Sequence, residues 1–178
     1  QGDWSSDVCS SDLGTMVTVT KGLFNHLAGQ DDLVATLHQT SRALKRMNLR
    51  SLFMAMTLVR LRGNRLQCSV AGMPPILIYR AATQAVEEIP LRGAPLGGLS
   101  QYAYRQTEAS LSPGDIVLLL SDGLPERFNP TGEMFDYDRC KDFLVRNADA
   151  APQAIIDRLL QSGEAWAEGL PEIGRAHV

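Results

Sequence analysis

The residues best suited to chemistry are Ser121-Asp122-Gly123, which follow the apolar run Ile116-Val117-Leu118-Leu119-Leu120. A carboxylate at the end of a buried strand is held rigidly and opens onto a cleft. Mg²⁺ and Mn²⁺ take hard oxygen ligands at fixed geometry and keep water in their remaining positions. Asp122 therefore suits one ligand position, with Gly123 as the adjoining turn residue. Asp-Gly is also a common turn, and the dipeptide taken alone favours that plainer role. Glu126, Arg127 and Glu133 follow closely and would suit a cleft mouth, although residues of these types more commonly sit on ordinary surface. His26 and His38 stand alone in helical stretches without a partner ligand, as helix-surface residues do. Cys68 and Cys140 lack metal or redox spacing and read as small buried apolar residues. A reducing, cytoplasmic location fits two such thiols.

The elements that must position Asp122 are legible from periodicity. Met16, Val19, Leu23 and Leu27 recur at helical spacing over residues 15–28. Gly29 stops that helix, and Asp31 is the expected N-cap of the next. Leu33, Leu37, Leu44 and Met47 mark this second helix, with Arg42, Lys45 and Arg46 on a solvated face. The period then switches to two. Residues 52–62 are apolar on both faces, as a buried strand is. Gly63-Asn64 signals a two-residue hairpin, and Leu66, Cys68 and Val70 alternate with polar residues in the partner strand. Ala71-Gly72-Met73-Pro74-Pro75 breaks the ladder. Residues 76–80 and 86–89 form another expected hairpin, 92–98 a loop, 102–111 a strand and 112–115 a tight turn. The run 116–120 predicts a central strand covered on both faces. Two helices close the order, one over 137–147 and one from Pro152, a residue suited to a first helical turn. Helices, then antiparallel strands, then helices define an α+β pattern.

The two ends read differently. Asp7-Val8-Cys9-Ser10-Ser11-Asp12-Leu13 can be encoded by GAC GTG TGC TCT TCC GAT CTC. The reverse complement of that string encodes Glu172-Ile173-Gly174-Arg175-Ala176-His177-Val178. Natural termini have no reason to mirror one another in this way, and the string looks like a sequencing-library adapter. Residues 1–13 and 172–178 are therefore expected to be non-native tails, excluded from fold reasoning, and 14–171 a single incomplete domain. Of 20 acidic residues, Asp3, Asp7, Asp12 and Glu172 fall in the tails, leaving 16; of 17 basic residues, Arg175 does, leaving 16. The net charge of −3 thus becomes zero. A neutral domain gives no electrostatic case for nucleic acid or an anionic membrane. No apolar run approaches the roughly 18 residues of a membrane span.

Taken together, the motifs say more than any one of them. Pro113-Gly114-Asp115, the apolar run, Ser121-Asp122-Gly123-Leu124-Pro125-Glu126, Gly132-Glu133-Met134-Phe135 and Tyr137-Asp138-Arg139 occur in one order at short spacing. Upstream stand Ala71-Gly72-Met73-Pro74-Pro75 and Pro95-Leu96-Gly97. This set resembles the PPM-type metal-dependent serine/threonine phosphatases, in the bacterial subgroup related to stage II sporulation protein E, over nearly all of residues 14–171. Met73 stands where His is frequent in the family and Asp136 where Gly is frequent; Met73 is expected to pack, and Asp136 to cap the helix from Tyr137.

The resemblance implies an α-β-β-α sandwich of mainly antiparallel sheets flanked by helices, incomplete here, with two Mn²⁺ or Mg²⁺ ions in a cleft between the sheets. Asp122 would be one metal ligand. The reaction implied is attack of cation-activated water on a phosphoserine or phosphothreonine. It also implies an acidic motif just before residue 14 and a closing strand with paired Asp after the last helix. Tail sequence takes both places, so this segment is expected to be inactive alone, with sheet edges open to aggregation. Asp31-Asp32 does not replace the acidic motif, since it falls at a helix start, where Asp caps free N–H groups. The expected partner is a phosphorylated regulatory protein such as an anti-sigma-factor antagonist, with an upstream sensor domain acting through residues 15–47. A non-catalytic phosphatase-like interaction module, or an unrelated α+β binding domain with Asp122 as a turn residue, are the competing readings.

Overall fold

The computed structural model describes residues 10–27, 29–47, 52–99 and 101–168. In chain order the elements are α1 (Ser10–Leu27), α2 (Leu33–Arg46), β1 (Met56–Arg62), β2 (Arg65–Ala71), β3 (Ile76–Arg80), β4 (Ala85–Ile89), β5 (Gln106–Ser110), β6 (Ile116–Leu118), α3 (Tyr137–Arg146) and α4 (Pro152–Ala167). The α+β class is as expected: four helices accompany two three-stranded antiparallel sheets among the described residues. The chain divides into two compact units. Among the described residues the first takes in α1 to β2 and Leu91–Ser110, and the second Pro74–Pro90 and residues 111–168. No helix among the described residues is long and apolar enough to cross a membrane.

In the first unit the sheet order is β1-β2-β5. Arg62 pairs with Arg65, so Gly63-Asn64 is the two-residue turn, with Gly63 at a φ of +57°. Positive φ at the turn is what matches the twist of the flanking strands. Met16, Leu33, Leu37 and Leu44 from the helices pack with Leu52, Leu58, Ala71, Leu96 and Tyr104. The cap of α2 is Asp32 rather than Asp31: its side chain accepts the Ala35 N–H at 2.9 Å. Asp31 instead accepts from the Arg62 guanidinium at 2.5 Å, while Arg60 donates to the Gln30 and Asp31 carbonyls. Adjacent aspartates are equivalent by type, and the neighbouring strand's arginines decide between them.

Two strands fall short of their patterns. Residues 52–62 do not form one strand buried on both faces. Only Met56–Arg62 is strand, it pairs on one side alone among the described residues, and Val59 and Leu61 are exposed. Of 102–111, only Gln106–Ser110 enters the ladder. The tyrosines before it are diverted to hold the loop 92–98. The Tyr104 hydroxyl donates to the Ala94 carbonyl at 3.1 Å and that of Tyr102 to the Arg92 carbonyl at 3.4 Å. The same loop is tied elsewhere by a Met54–Leu96 bridge, the Gly97 N–H donating to Ser41, and the Gly72 N–H donating to the Gly93 carbonyl at 2.7 Å. Gly93 is required by space, since a Cβ there would lie 2.0 Å from the Val70 carbonyl oxygen. Cys68 in β2 is fully buried, and burial pushes its thiol up to about 11.

In the second unit β3 is central, in the order β4-β3-β6, with Ile76 opposite Ile89 and Leu77 opposite Leu118. Leu77, Tyr79 and Leu118 pack with Leu124, Phe135, Cys140, Leu144, Ile155 and Leu159. Pro152 opens α4 as expected. Asp136 caps α3 as expected, accepting the Arg139 N–H at 3.0 Å. Its φ of +62° explains why glycine would be at home in that position. Cys140 is fully buried, and desolvation, with the Asp136 charge second, pushes its thiol up to about 11. Both cysteines are thus buried and free, as read from their spacing.

The run 116–120 departs from the expected central strand. Only Ile116–Leu118 is strand, it lies at the sheet edge among the described strands, and Leu119 is 47% exposed. Apolar composition alone cannot tell coverage by the chain in hand from coverage that a strand would need.

Candidate metal-ligand turn

The turn carrying Asp122 is launched from a fixed point. At the start of β6, the Asp115 carboxylate accepts the Ser112 and Ala81 N–H groups, each at 3.0 Å, and the Arg80 guanidinium at 2.9 Å. The two backbone donors and then Arg80 hold its pKa below the usual carboxylate range. Charge-assisted bonds of this kind are the stronger class. They tie β3 to the start of β6 and fix the direction in which the chain leaves β6 for residues 121–123.

Asp122 lies four residues beyond β6, on a turn closed by the Glu126 N–H donating to the Asp122 carbonyl at 2.9 Å and the Arg127 N–H donating to the Leu124 carbonyl at 3.1 Å. Its side chain is exposed, and among the described residues its carboxylate has no hydrogen-bond or ion-pair partner. Glu126, also exposed, is in the same turn. Both charges act on Tyr137: burial first, then Glu126, then Asp122, raise its phenol above the ordinary value. The turn around Gly123 is present, but the described glycines of positive φ are Gly63, Gly72, Gly97, Gly114 and Gly132.

Beyond the turn the chain folds back as a hairpin. The Phe135 N–H donates to the Arg127 carbonyl at 2.8 Å, the Asp136 N–H donates to the Pro125 carbonyl at 2.7 Å, and Phe128 bridges Met134. At the tip, the Asn129 side-chain oxygen accepts from the Thr131 N–H, the Thr131 hydroxyl and the Glu133 N–H. Glu133 is exposed at this hairpin and Arg127 half-buried near its base. The other singled-out residues lie in the first unit. His38 meets Tyr104 edge-on at 5.3 Å, and His26 is exposed at the end of α1. Met73 is half-buried. The tails 1–9 and 172–178 lie outside the described residues, while α1 begins at Ser10, within the segment expected to be non-native.

As a cation site, this turn offers one open hard-oxygen ligand on a well-supported backbone, which fits the donor chemistry of Mn²⁺ or Mg²⁺. It does not supply a cage: no group of three or more His, Cys, Asp or Glu side chains converges among the described residues. The residues present fit a single ligand position.

Among solved structures, the fold is similar to the SiaA-PP2C domain of Pseudomonas aeruginosa, with a TM-score of 0.75 and 21% identity, over 89% of this chain and 65% of that one. It is similar to the RsbU and RsbW domains of Rv1364c from Mycobacterium tuberculosis, with a TM-score of 0.65 and 24% identity, over 90% of this chain and 43% of that one. The serine/threonine phosphatase PstP/Ppp of Mycobacterium tuberculosis also matches, with a TM-score of 0.56 and 17% identity, over 86% of this chain and 78% of that one. The chain therefore has the fold of a PP2C-type phosphatase domain, and it spans less than two thirds of the first two of these structures. The family model for stage II sporulation protein E (SpoIIE) matches residues 11–172, and the chain belongs to that family. No match was found among curated protein sequences.

Proposed function

We propose that residues 14–171 are part of a metal-dependent phosphoserine/phosphothreonine protein phosphatase of bacterial signalling, and that Asp122 holds one corner of its Mn²⁺ or Mg²⁺ site. The observation that carries this reading is the exposed Asp122 carboxylate, unpaired among the described residues, on a turn braced on both sides, within a chain of the SpoIIE family. Two divalent cations would supply charge neutralisation at the phosphoryl group and activation of water. The part played by this chain's own residues is positional. Asp115 and Arg80 fix where β6 starts, the backbone bonds of residues 122–127 set the turn, and Asp122 presents its oxygens to solvent without a competing cation. The described residues hold one of the ligands that such a site needs, and we propose that the segment alone does not turn over substrate. The tails 1–13 and 172–178 are read as adapter-derived, which the sequence of the parent locus tests directly.

The substrate class that fits is a phosphorylated regulatory protein, such as an anti-sigma-factor antagonist, acting in the cytoplasm under control of an upstream sensor domain. In support, one similar structure carries an RsbU domain together with an RsbW domain. The experiment is Asp122→Ala in the intact chain encoded at the locus, assayed for Mn²⁺-dependent hydrolysis of p-nitrophenyl phosphate. Loss of turnover with an unchanged melting curve is the expected outcome. Unaltered turnover would reject the ligand role, and an intact chain without any turnover would favour the non-catalytic interaction module.

A further inference from the structure

The hairpin after Asp122 is gripped from two helices by one pair of side chains. The Trp166 indole N–H of α4 donates to the Glu133 carbonyl at 3.2 Å. The Arg139 guanidinium of α3 lies 4.3 Å from the centre of the Trp166 ring and donates to the Met134 and Phe135 carbonyls, both at 3.3 Å. Phe135 meets Trp166 edge-on at 6.0 Å between ring centres. Three consecutive carbonyls, those of residues 133–135, are thus held by one stacked Arg–Trp pair. A stacked guanidinium keeps its donors in a fixed plane, and the stack itself contributes about 0.5–2 kcal/mol according to how dry it is.

The grip reaches Asp122 through the backbone. Phe135 and Asp136, next to the held carbonyls, donate to Arg127 and Pro125, and Glu126 donates to Asp122 itself. On the other side of the turn, Leu124 is seated against Gly163 of α4, where a Cβ would lie 2.3 Å from the Leu124 Cδ1. The segment from Asp122 to Asp136 is therefore tied to α4 at both ends, at Gly163 and at Trp166. The outer part of the hairpin has little apolar burial of its own, since Phe128 and Met134 are exposed, while Leu124 and Phe135 at its base are buried. The order of that outer part draws on these ties.

We propose that Arg139 and Trp166 are positioning residues for Asp122: the stacked pair fixes the hairpin, and the hairpin fixes the carboxylate. The link to the metal rests on the phosphatase reading above; the link to the backbone does not. Groups that orient a metal ligand without touching the metal commonly change its affinity by about 10–100-fold.

The test uses the intact chain with Trp166→Leu and Arg139→Lys, the latter keeping the charge and losing the planar fork. Leu160→Ala serves as a control at an exposed position of α4. Hydrogen exchange on metal-free protein should show faster exchange at the Glu126, Phe135 and Asp136 amides in Trp166→Leu, and unaltered exchange there in Leu160→Ala. Mn²⁺ binding, followed by electron paramagnetic resonance of the free ion, should weaken about tenfold in Trp166→Leu and less in Arg139→Lys. The p-nitrophenyl phosphate turnover at saturating Mn²⁺ should stay within about twofold. Unchanged amide exchange in Trp166→Leu, or an equal change in Leu160→Ala, overturns the positioning role outright. Mn²⁺ binding lost in Asp122→Ala but intact in Trp166→Leu overturns the coupling to the carboxylate alone. Mn²⁺ binding intact in Asp122→Ala overturns the metal reading and its coupling, leaving the exchange result to decide the grip.

Discussion

The two units solve the same problem with different materials. Each sets two helices with three antiparallel strands, and each must immobilise a long connection: residues 92–98 in the first, 122–136 in the second. In the first, main chain packs directly on main chain, with Gly93 against the Val70 carbonyl and Gly72 donating to Gly93, and the Tyr102, Tyr104 and Ser41 hydroxyls add side-chain ties. In the second, backbone bonds close the hairpin on itself, while its ties to the helices are made by side chains: Trp166, Arg139, and Leu124 seated on Gly163. Close backbone packing leaves little to adjust, whereas side-chain contact can be tuned by substitution. The connection that carries the candidate ligand is joined to its helices by the tunable kind.

Substitution at the two spacing glycines breaks this comparison most directly. Gly93→Ala puts a methyl group 2.0 Å from a carbonyl oxygen that belongs to β2 and cannot yield without disturbing the ladder. The expected cost is at the upper end of overpacking, about 3 kcal/mol, visible as a lowered urea midpoint. Gly163→Ala meets only the tip of the Leu124 side chain, which can turn away, so about 1 kcal/mol is expected in the same measurement. Equal costs would mean that the second connection is as rigid as the first.

The smallest effect concerns Asp115, and it sharpens the account of how the second connection is launched. Its folded pKa is held down by the Ser112 and Ala81 N–H groups and by Arg80. A depressed pKa contributes stability that is present above the unfolded value of about 3.9 and is lost as pH falls through the folded one. Asp115→Asn should therefore melt below the wild type at neutral pH, and the gap should close as the solution is taken below about pH 4. A gap that stays constant with pH would remove Asp115 from the charged network.

Much of the architecture was legible because it depends on neighbours in sequence. Gly63-Asn64 specified its hairpin, Pro152 its helix start, and Asp136 its cap. The misreadings all involve partners distant along the chain. Asp31 lost the cap to Asp32 because Arg60 and Arg62, thirty residues on, take up Asp31 and its neighbouring carbonyls. Tyr102 and Tyr104 lie outside the strand, where their hydroxyls serve carbonyls ten residues back. The run 116–120 looked central because five apolar residues encode a demand for cover without saying what provides it. The same holds at the candidate site. Asp122 could be picked out by its type and by its place after β6, but the grip on its turn could not. Trp166 reaches a carbonyl 33 residues away, and no periodicity marks the residue that does so.

Among the described residues one cysteine lies sealed in each unit, Cys68 in β2 and Cys140 in α3, and burial pushes both thiols up to about 11. At neutral pH they are almost wholly in the protonated, unreactive form and out of reach of reagent. Alkylation can occur only when the surrounding unit opens. Peptide mapping after timed exposure to iodoacetamide would therefore read two separate clocks from one native molecule, and show which half lets go first.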